Sequence, residues 1–247
     1  MKNKKFLIIN ATHGDEGFSI PVIKRLQKEF PDKFEVVIGN PKALEVKKRY
    51  LDSDLNRVAP GEKASTDYEK NRAWEINNLA NKYQFTIDIH GSSSKCGLFT
   101  IITNPIPANL MLAYSLPIKN IVIWGSKNNG RLTGPLSRFF NCGIGIECGP
   151  QDSPAISRKL FKALTIFCSN EPIDYQDANK KELYQVFGKL TKKEINQKTI
   201  AELQDFRKVK INGQEFYPLL VKQYRDDEVI CYKMRKLNFY EKFSFPY

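Results

Sequence analysis

Short apolar runs closed by Gly, Asn or Pro alternate along this chain with stretches whose apolar residues recur at helical spacing. KKFLIIN is the first such run and predicts a strand ending in a polar loop; GFSIPVIKRLQKEF then carries helical periodicity. FEVVIGNP predicts a second strand, stopped by Asn40-Pro41. The stretch from Tyr68 to Tyr83, with Trp74, Ile76, Leu79 and Ala80, predicts a helix, and FTIDIH predicts a third strand that ends on His90. GLFTIIT, NIVIW and CGIGIE are three further strands, and SPAISRKLFKALTIFC a further helix. Strands alternating with helices predict an α/β fold with a mostly parallel or mixed sheet flanked by helices.

The texture changes near Asn170. NEPIDYQDANKKE is polar and reads as a connector. ELYQVFGKL, FRKVKINGQEFYPLLVK and DEVICYKMRK then read as strands separated by turns, with Asn212-Gly213 as a hairpin signal. The expected organisation is a main domain over 1–170 and a small C-terminal β-rich domain over 171–247, which a chain of 247 residues can hold. No apolar run approaches the roughly 20 residues of a membrane helix. The first ten residues lack the apolar core and small-residue cleavage site of a signal peptide. Five cysteines, odd in number and without a C-x-x-C pair, indicate free thiols and a cytoplasmic protein. The net charge of +12 comes from scattered lysines with no nucleic-acid-binding motif beside them; it reads first as a general richness in lysine, second as attraction of small anionic substrates, and argues least for a nucleic-acid partner.

The chain has only two histidines, and each follows the end of an expected strand. His13 lies in NATHGDEG, three residues before Glu16; His90 lies in TIDIHGSS. Two imidazoles and one carboxylate are a frequent catalytic zinc set that leaves a fourth position open. In α/β sheets, ligands gather at the carboxyl ends of strands. Gly14 and Gly17 would let the backbone turn sharply around the pair. Asp88, two positions before His90 on the same strand face, is placed to orient a ligand imidazole. An H-x-x-E spacing also arises by chance between ordinary polar loop residues, and Asp88 has the alternative of bonding to backbone.

Two further segments change the picture. NPKALEVKKRYLDSDLNRVAPG contains R-Y-x-D-x-D-L-N-R, and GIGIECGPQ contains G-I-E-x-G-P-Q. With the H-G-D-E and D-x-H segments, in this order, they closely resemble the aspartoacylase and succinylglutamate desuccinylase family over about residues 5–155. The resemblance implies a zinc-carboxypeptidase-like fold and one Zn2+ per chain, held by His13, Glu16 and His90. It implies that Glu147 is the catalytic carboxylate acting on a metal-activated water and that Arg49 lies near the scissile carbonyl. Asn56 and Arg57 match substrate-carboxylate binders, Asp54 a supporting acid, and Arg138 a second carboxylate-binding arginine. Arginine forks grip carboxylates in bidentate fashion, which suits these roles.

The implied activity is that of a cytoplasmic zinc-dependent amidohydrolase (a deacylase). It would cleave the amide bond, other than a peptide bond, of an N-acyl amino acid or similar small acidic amide. The alternatives are a carboxypeptidase-like peptidase, which would need an extended groove, and an inactive metal-binding protein. No membrane partner is expected, and a homo-oligomer is left open. One departure stands out: Gly91-Ser92 follows the histidine where aspartoacylases proper have Asn-Thr, which argues against N-acetylaspartate as the substrate. The C-terminal part can supply a tyrosine to the site in this family. Tyr217, Tyr224 and Tyr232 are the candidates, with β-sheet packing as their other role.

Overall fold

Phe6–Asn10 (β1) is buried at every position, which marks a strand covered on both faces. A computed structural model of the chain describes residues 6–125, 133–169, 180–223 and 228–238. In it β1 pairs in parallel with Phe34–Ile38 (β2) on one side and Phe85–Gly91 (β3) on the other. β3 pairs in parallel with Gly143–Gly149 (β6), in a register that sets His90 opposite Glu147. Gly97–Ile102 (β4) runs antiparallel to β6 and parallel to Asn120–Ile123 (β5), so the sheet is mixed.

The period-two alternation of β1 sorts its side chains to two layers. Phe6 and Ile8 join a core completed by Ile20–Glu29 (α1), Pro107–Ser115 (α5) and Pro154–Ser169 (α6), through residues such as Leu26, Leu112 and Leu160. Leu7 and Ile9 face the opposite layer. There Ala73, Ile76 and Ala80 of Tyr68–Ala80 (α4) and Leu55 of Leu55–Val58 (α3) cover them. None of the described helices is long and apolar enough to cross a membrane.

The β-rich segment adds its strands to this same sheet. Glu182–Thr191 (β7) pairs in parallel with β5, and Val229–Lys236 (β10) lies antiparallel to β7. Gln214–Leu219 (β9) and Val209–Ile211 (β8) follow as a hairpin whose turn residues Asn212 and Gly213 both have positive φ, as the Asn-Gly signal requires. The order across the sheet is β2-β1-β3-β6-β4-β5-β7-β10-β9-β8. The segment has a core of its own around Leu190, Phe216 and Ile230. A second cluster of Phe99, Val122, Tyr184, Leu219 and Met234 spans the junction.

Four helices were not expected. Pro41–Glu45 (α2), α3 and Gln197–Glu202 (α7) are too short to show a period; each starts at a side-chain cap, from Asn40, Asp54 and Asn196. α5 is apolar on most sides and so lacks an amphipathic signature. Residues 170–179 of the expected connector lie outside the described residues.

Phe99 is fully buried on β4, with its ring edge-on to Phe206 at a centroid distance of 5.4 Å. Phe99→Ala is expected to lower stability by about 3–5 kcal/mol, the usual cost of truncating a core phenylalanine. Urea unfolding measures it, and a loss below about 1 kcal/mol would show that the junction does not carry the packing described.

Candidate metal centre

The parallel strands β1, β3 and β6 end along one edge, and the site is built at that edge from the turn after β1 and the last residues of β3 and β6. After β1 the chain turns through Ala11, which is buried at φ 55°, in the left-handed region. Backbone bonds from Gly39 to Asn10 and from Asn40 to Ala11 hold that turn. Gly14 then passes so close to α2 that a Cβ would sit 2.1 Å from the Ala43 carbonyl carbon. Its glycine is required by this close approach, since its φ is not positive.

His13, Glu16 and His90 offer ligand atoms that all lie within 4.8 Å of one another, and all three are buried. Glu16 is the hub. Its Oε1 lies 2.7 Å from His13 Nδ1 and its Oε2 3.2 Å from His90 Nδ1, while Gly91 N–H donates to Oε2 at 3.0 Å. The outer imidazole nitrogens face two more carboxylates: His13 Nε2 is 3.0 Å from Asp54 Oδ1, and His90 Nε2 is 2.9 Å from Asp88 Oδ2. Carboxylate oxygens accept, so each Nε2 donates outward to Asp54 or Asp88 and each Nδ1 inward to Glu16. Asp88 is itself held by Thr12 Oγ1 at 2.7 Å.

The electrostatics follow from this packing. Burial opposes charge on Glu16, yet His13 and His90 outweigh it and hold the carboxyl well below the usual range. Burial also opposes charge on Asp54, where His13, Arg49 and Arg57 prevail and its pKa falls. For both histidines burial disfavours the imidazolium; their carboxylate neighbours reverse this and raise both pKa values. Glu147 differs. Burial pushes it up to about 8, only partly offset by His90, so it is the one carboxyl of the group poised to hold a proton near neutrality.

Arg49 reaches the hub from the loop before α3: Nη1 donates to Glu16 Oε1 at 3.3 Å, and Nε and Nη2 to Asp54 Oδ2 at 3.4 Å. That loop hangs on a residue with no motif around it. Glu69, in the first turn of α4 and fully buried, accepts the backbone N–H groups of Leu51, Asp52 and Ser53 at 2.7, 3.0 and 3.2 Å. It also accepts Asn40 Nδ2 at 3.0 Å. Glu69 sits with Asp52 and Asp67 in an acidic group, but these four donors make it a clamp on the loop.

A pocket of about 710 Å³ opens over the centre, lined by His13, Glu16, Arg49, Asn56, Arg57, His90, Arg138 and Glu147. Arg57 follows the kink at Asn56 in α3, and Arg138 lies in a short 3-10 turn, Leu136–Phe139. The two loops are tied together, since Leu136 N–H donates to Asn56 Oδ1 at 3.0 Å and Ala59 bridges Gly134. Asn56 therefore spends its carbonyl oxygen on the loop. Asp88 lies behind the imidazole and does not line the pocket. Gly91 does line it, and the space of a side chain there is occupied by Gln151, whose Oε1 would lie 1.9 Å from a Cβ.

The rest of the pocket, of which Tyr232 alone was foreseen, includes Ile101, Trp124, Val186, Phe187, Leu220 and Tyr232, with Gln223 beside them. Of the three tyrosines, Tyr232 lines the pocket, Tyr217 packs on Tyr184 at 5.2 Å, and Tyr224 lies outside the described residues.

Fold and site together define an α/β protein with a buried two-histidine, one-carboxylate centre at the strand ends. Residues 2–166 match the succinylglutamate desuccinylase/aspartoacylase catalytic domain. A probable aspartoacylase of Trichodesmium erythraeum is 30% identical over 178 residues, 65% of this chain and 60% of the relative. One of Nostoc is 34% identical over 178 residues, again 65% and 60%. The match thus spans about 60% of those relatives' length. Among solved structures, murine aminoacylase 3 superposes with TM-score 0.71 at 18% identity, covering 96% of this chain and 96% of that one. Succinylglutamate desuccinylase from Chromobacterium violaceum gives 0.69 at 15% identity, covering 96% and 86%. The chain belongs to the succinylglutamate desuccinylase and aspartoacylase family, and its fold is zinc-carboxypeptidase-like.

Removing the Glu69 carboxylate strands three backbone donors. Glu69→Ala is expected to cost on the order of 3 kcal/mol, and Glu69→Gln, which keeps one acceptor oxygen, clearly less. Equal melting temperatures for the two variants would mean that the carboxylate does not clamp the loop.

Proposed function

We propose that the chain is a zinc-dependent hydrolase that cleaves the amide bond, other than a peptide bond, of a small N-acyl amino acid. The observation that carries this reading is the donor set. Two imidazole Nδ1 atoms and one carboxylate converge within 4.8 Å, and each imidazole is backed by a second carboxylate. Borderline-soft nitrogen donors with one carboxylate suit zinc, and the carboxylates behind the rings orient each imidazole with Nδ1 toward the centre. His13, Glu16 and His90 would hold one Zn2+. Zinc bound there acidifies water and polarises a carbonyl.

The chain's own residues would do the rest. Glu147, raised by burial and adjacent in register to His90, takes the proton of the attacking water and returns it to the departing amine nitrogen. Arg57 and Arg138 grip the substrate carboxylate. Arg49, held by Glu16 and Asp54, stands where it can donate to the scissile carbonyl oxygen as charge builds. Asn56 keeps the two arginine loops together. In this reading the unit over 1–170 carries the chemistry and 171–247 closes the pocket. The wall of Phe187, Gln223 and Tyr232 favours a small substrate over a peptide. The free cysteines and the basic surface suit a cytoplasmic enzyme of anionic metabolites.

Zinc analysis should find about one ion per chain, and His90→Ala should lose it; full occupancy in that variant would remove His90 from the ligand set. Glu147→Gln should keep zinc while kcat falls by on the order of 10²–10⁴, the range for a positioned proton carrier. Normal zinc with near-normal kcat would place proton transfer elsewhere. Arg57→Ala should lower kcat/KM by the equivalent of roughly 1.5–3 kcal/mol without altering metal content. Were that loss the same on a substrate lacking its carboxylate, Arg57 would not be the anion site.

A further inference from the structure

We propose that Gln151 is a positioning residue for the candidate metal centre, tying the turn between His13 and Glu16 to the end of β3 at Gly91; the zinc it would serve rests on the function proposed above. Gln151 closes the motif G-I-E-x-G-P-Q that carries Glu147, and the proposed chemistry gives it no part. It is not among the residues that line the pocket. Its backbone extends the sheet edge instead. Ser92 N–H donates to the Cys148 carbonyl at 2.9 Å and Gln151 N–H to the Ser92 carbonyl at 2.8 Å, which joins the two chains beyond the last pair of β3 and β6, Gly91 and Cys148.

From that anchor the side chain spans both ligand-bearing segments. Nε2 donates to the Asp15 carbonyl at 3.2 Å, midway between His13 and Glu16. A carbonyl only accepts, so the amide cannot be turned round, and Oε1 is left on the side of Gly91. There Oε1 lies 1.9 Å, and Cδ 2.9 Å, from the place of a Cβ on Gly91. Oε1 is buried and meets no hydrogen-bond donor among the described residues. Leaving a buried acceptor so is costly, and the geometry of the two segments imposes it here. Gly91 N–H donates in turn to Glu16 Oε2 at 3.0 Å, and Glu16 N–H to the His13 carbonyl at 3.0 Å. Asp15, Gln151, Gly91 and Glu16 thus form a closed ring of contacts. On its other side the same turn is held by Gly14 N–H, which donates to the Arg49 carbonyl at 3.1 Å.

The glycine is part of this arrangement. Gly91 has no positive φ, so its backbone does not itself require glycine. The side chain of Gln151 is what excludes a larger residue. Alanine at 91 would drive the amide off Asp15, because the Phe18 ring, 3.0 Å from the same point, confines the new methyl.

Zinc affinity, measured by competition with a chromophoric chelator, reads the role. Gln151→Ala should weaken zinc binding by about tenfold or more, the scale for residues that orient metal ligands. Gly91→Ala should weaken it similarly. The double variant should be no weaker than either single one, since the methyl then enters the space the amide has left. Melting curves establish that all three are folded at the assay temperature. Unchanged affinity in Gln151→Ala, or losses that add in the double variant, overturn the proposal.

A second measurement needs no metal. In the metal-free chain, hydrogen exchange at the amides of Glu16 and Gly91 should quicken by about fivefold or more in Gln151→Ala, as expected when one hydrogen bond holding them is removed, while β1 keeps its rates. A wild-type chain that binds no zinc sinks the metal reading alone. The exchange rates then decide: faster exchange at both amides supports the tie, and equal rates overturn it.

Discussion

Glu16 is asked to satisfy two buried imidazoles, a backbone N–H and an arginine with two oxygens, and the rest of the structure is arranged so that it can. A carboxylate can be kept ionised in a buried site only if opposite charge and hydrogen bonds replace the lost water. Here that replacement comes from three separate parts of the chain: the turn after β1, the end of β3 and the loop bearing Arg49. Their convergence depends on β1 and β3 being neighbours in parallel register, Ile8 opposite Ile87, so that both strands stop at one edge. Strands buried on both faces make that pairing secure, because a slip would cost burial on each.

The same group carries more carboxylates than cations. Glu16, Asp54, Asp88 and Glu147 surround two imidazoles and Arg49. The system tolerates this partly because burial pushes Glu147 toward its neutral form. A divalent cation at the centre would add the missing positive charge, and would draw Glu147 back toward ionisation while the histidines give up their Nδ1 protons. Positioning is relayed as well. Glu69 clamps residues 51–53, these set Arg49 and Asp54 on either side, and Asp54 orients His13. A change in α4 is therefore felt at the centre without touching it.

How legible this was in the sequence depended on the kind of signal. β1, β3 and β6 were read because each is a largely apolar run closed by a turn residue, and the candidate metal triad because histidine is so rare here that two at strand ends cannot be hidden. Asp88 followed from strand period. Glu69 left no trace: an acidic residue in the first turn of a helix reads as a solvent-facing partner of the helix dipole, and its burial arises only from α4 meeting the loop after α2. ELYQVFGKL breaks strict alternation at Val186-Phe187 and Gly188, but that Phe187 is left unpaired there follows only from the register with β10. Asn56, marked as a ligand binder, lines the pocket, and its carbonyl oxygen also accepts from Leu136 N–H across 80 positions of sequence, a contact no local pattern encodes.

The way the C-terminal strands attach also constrains how the pocket can work. β3, β6, β4, β5, β7 and β10 form an unbroken hydrogen-bonded series, so the wall that bounds the ligand belongs to the same sheet as the centre it faces. Moving that wall would break ladder bonds between β5 and β7 and open the cluster of Phe99, Tyr184 and Met234 behind them. Side chains on the wall are cheaper to change than its position. Within this fold, then, the depth and polarity of the ligand space are set by which residues occupy the strand ends and by where a bulge points them. A side chain at the far end of the pocket can therefore be exchanged while His13, Glu16, His90 and Glu147 keep their geometry.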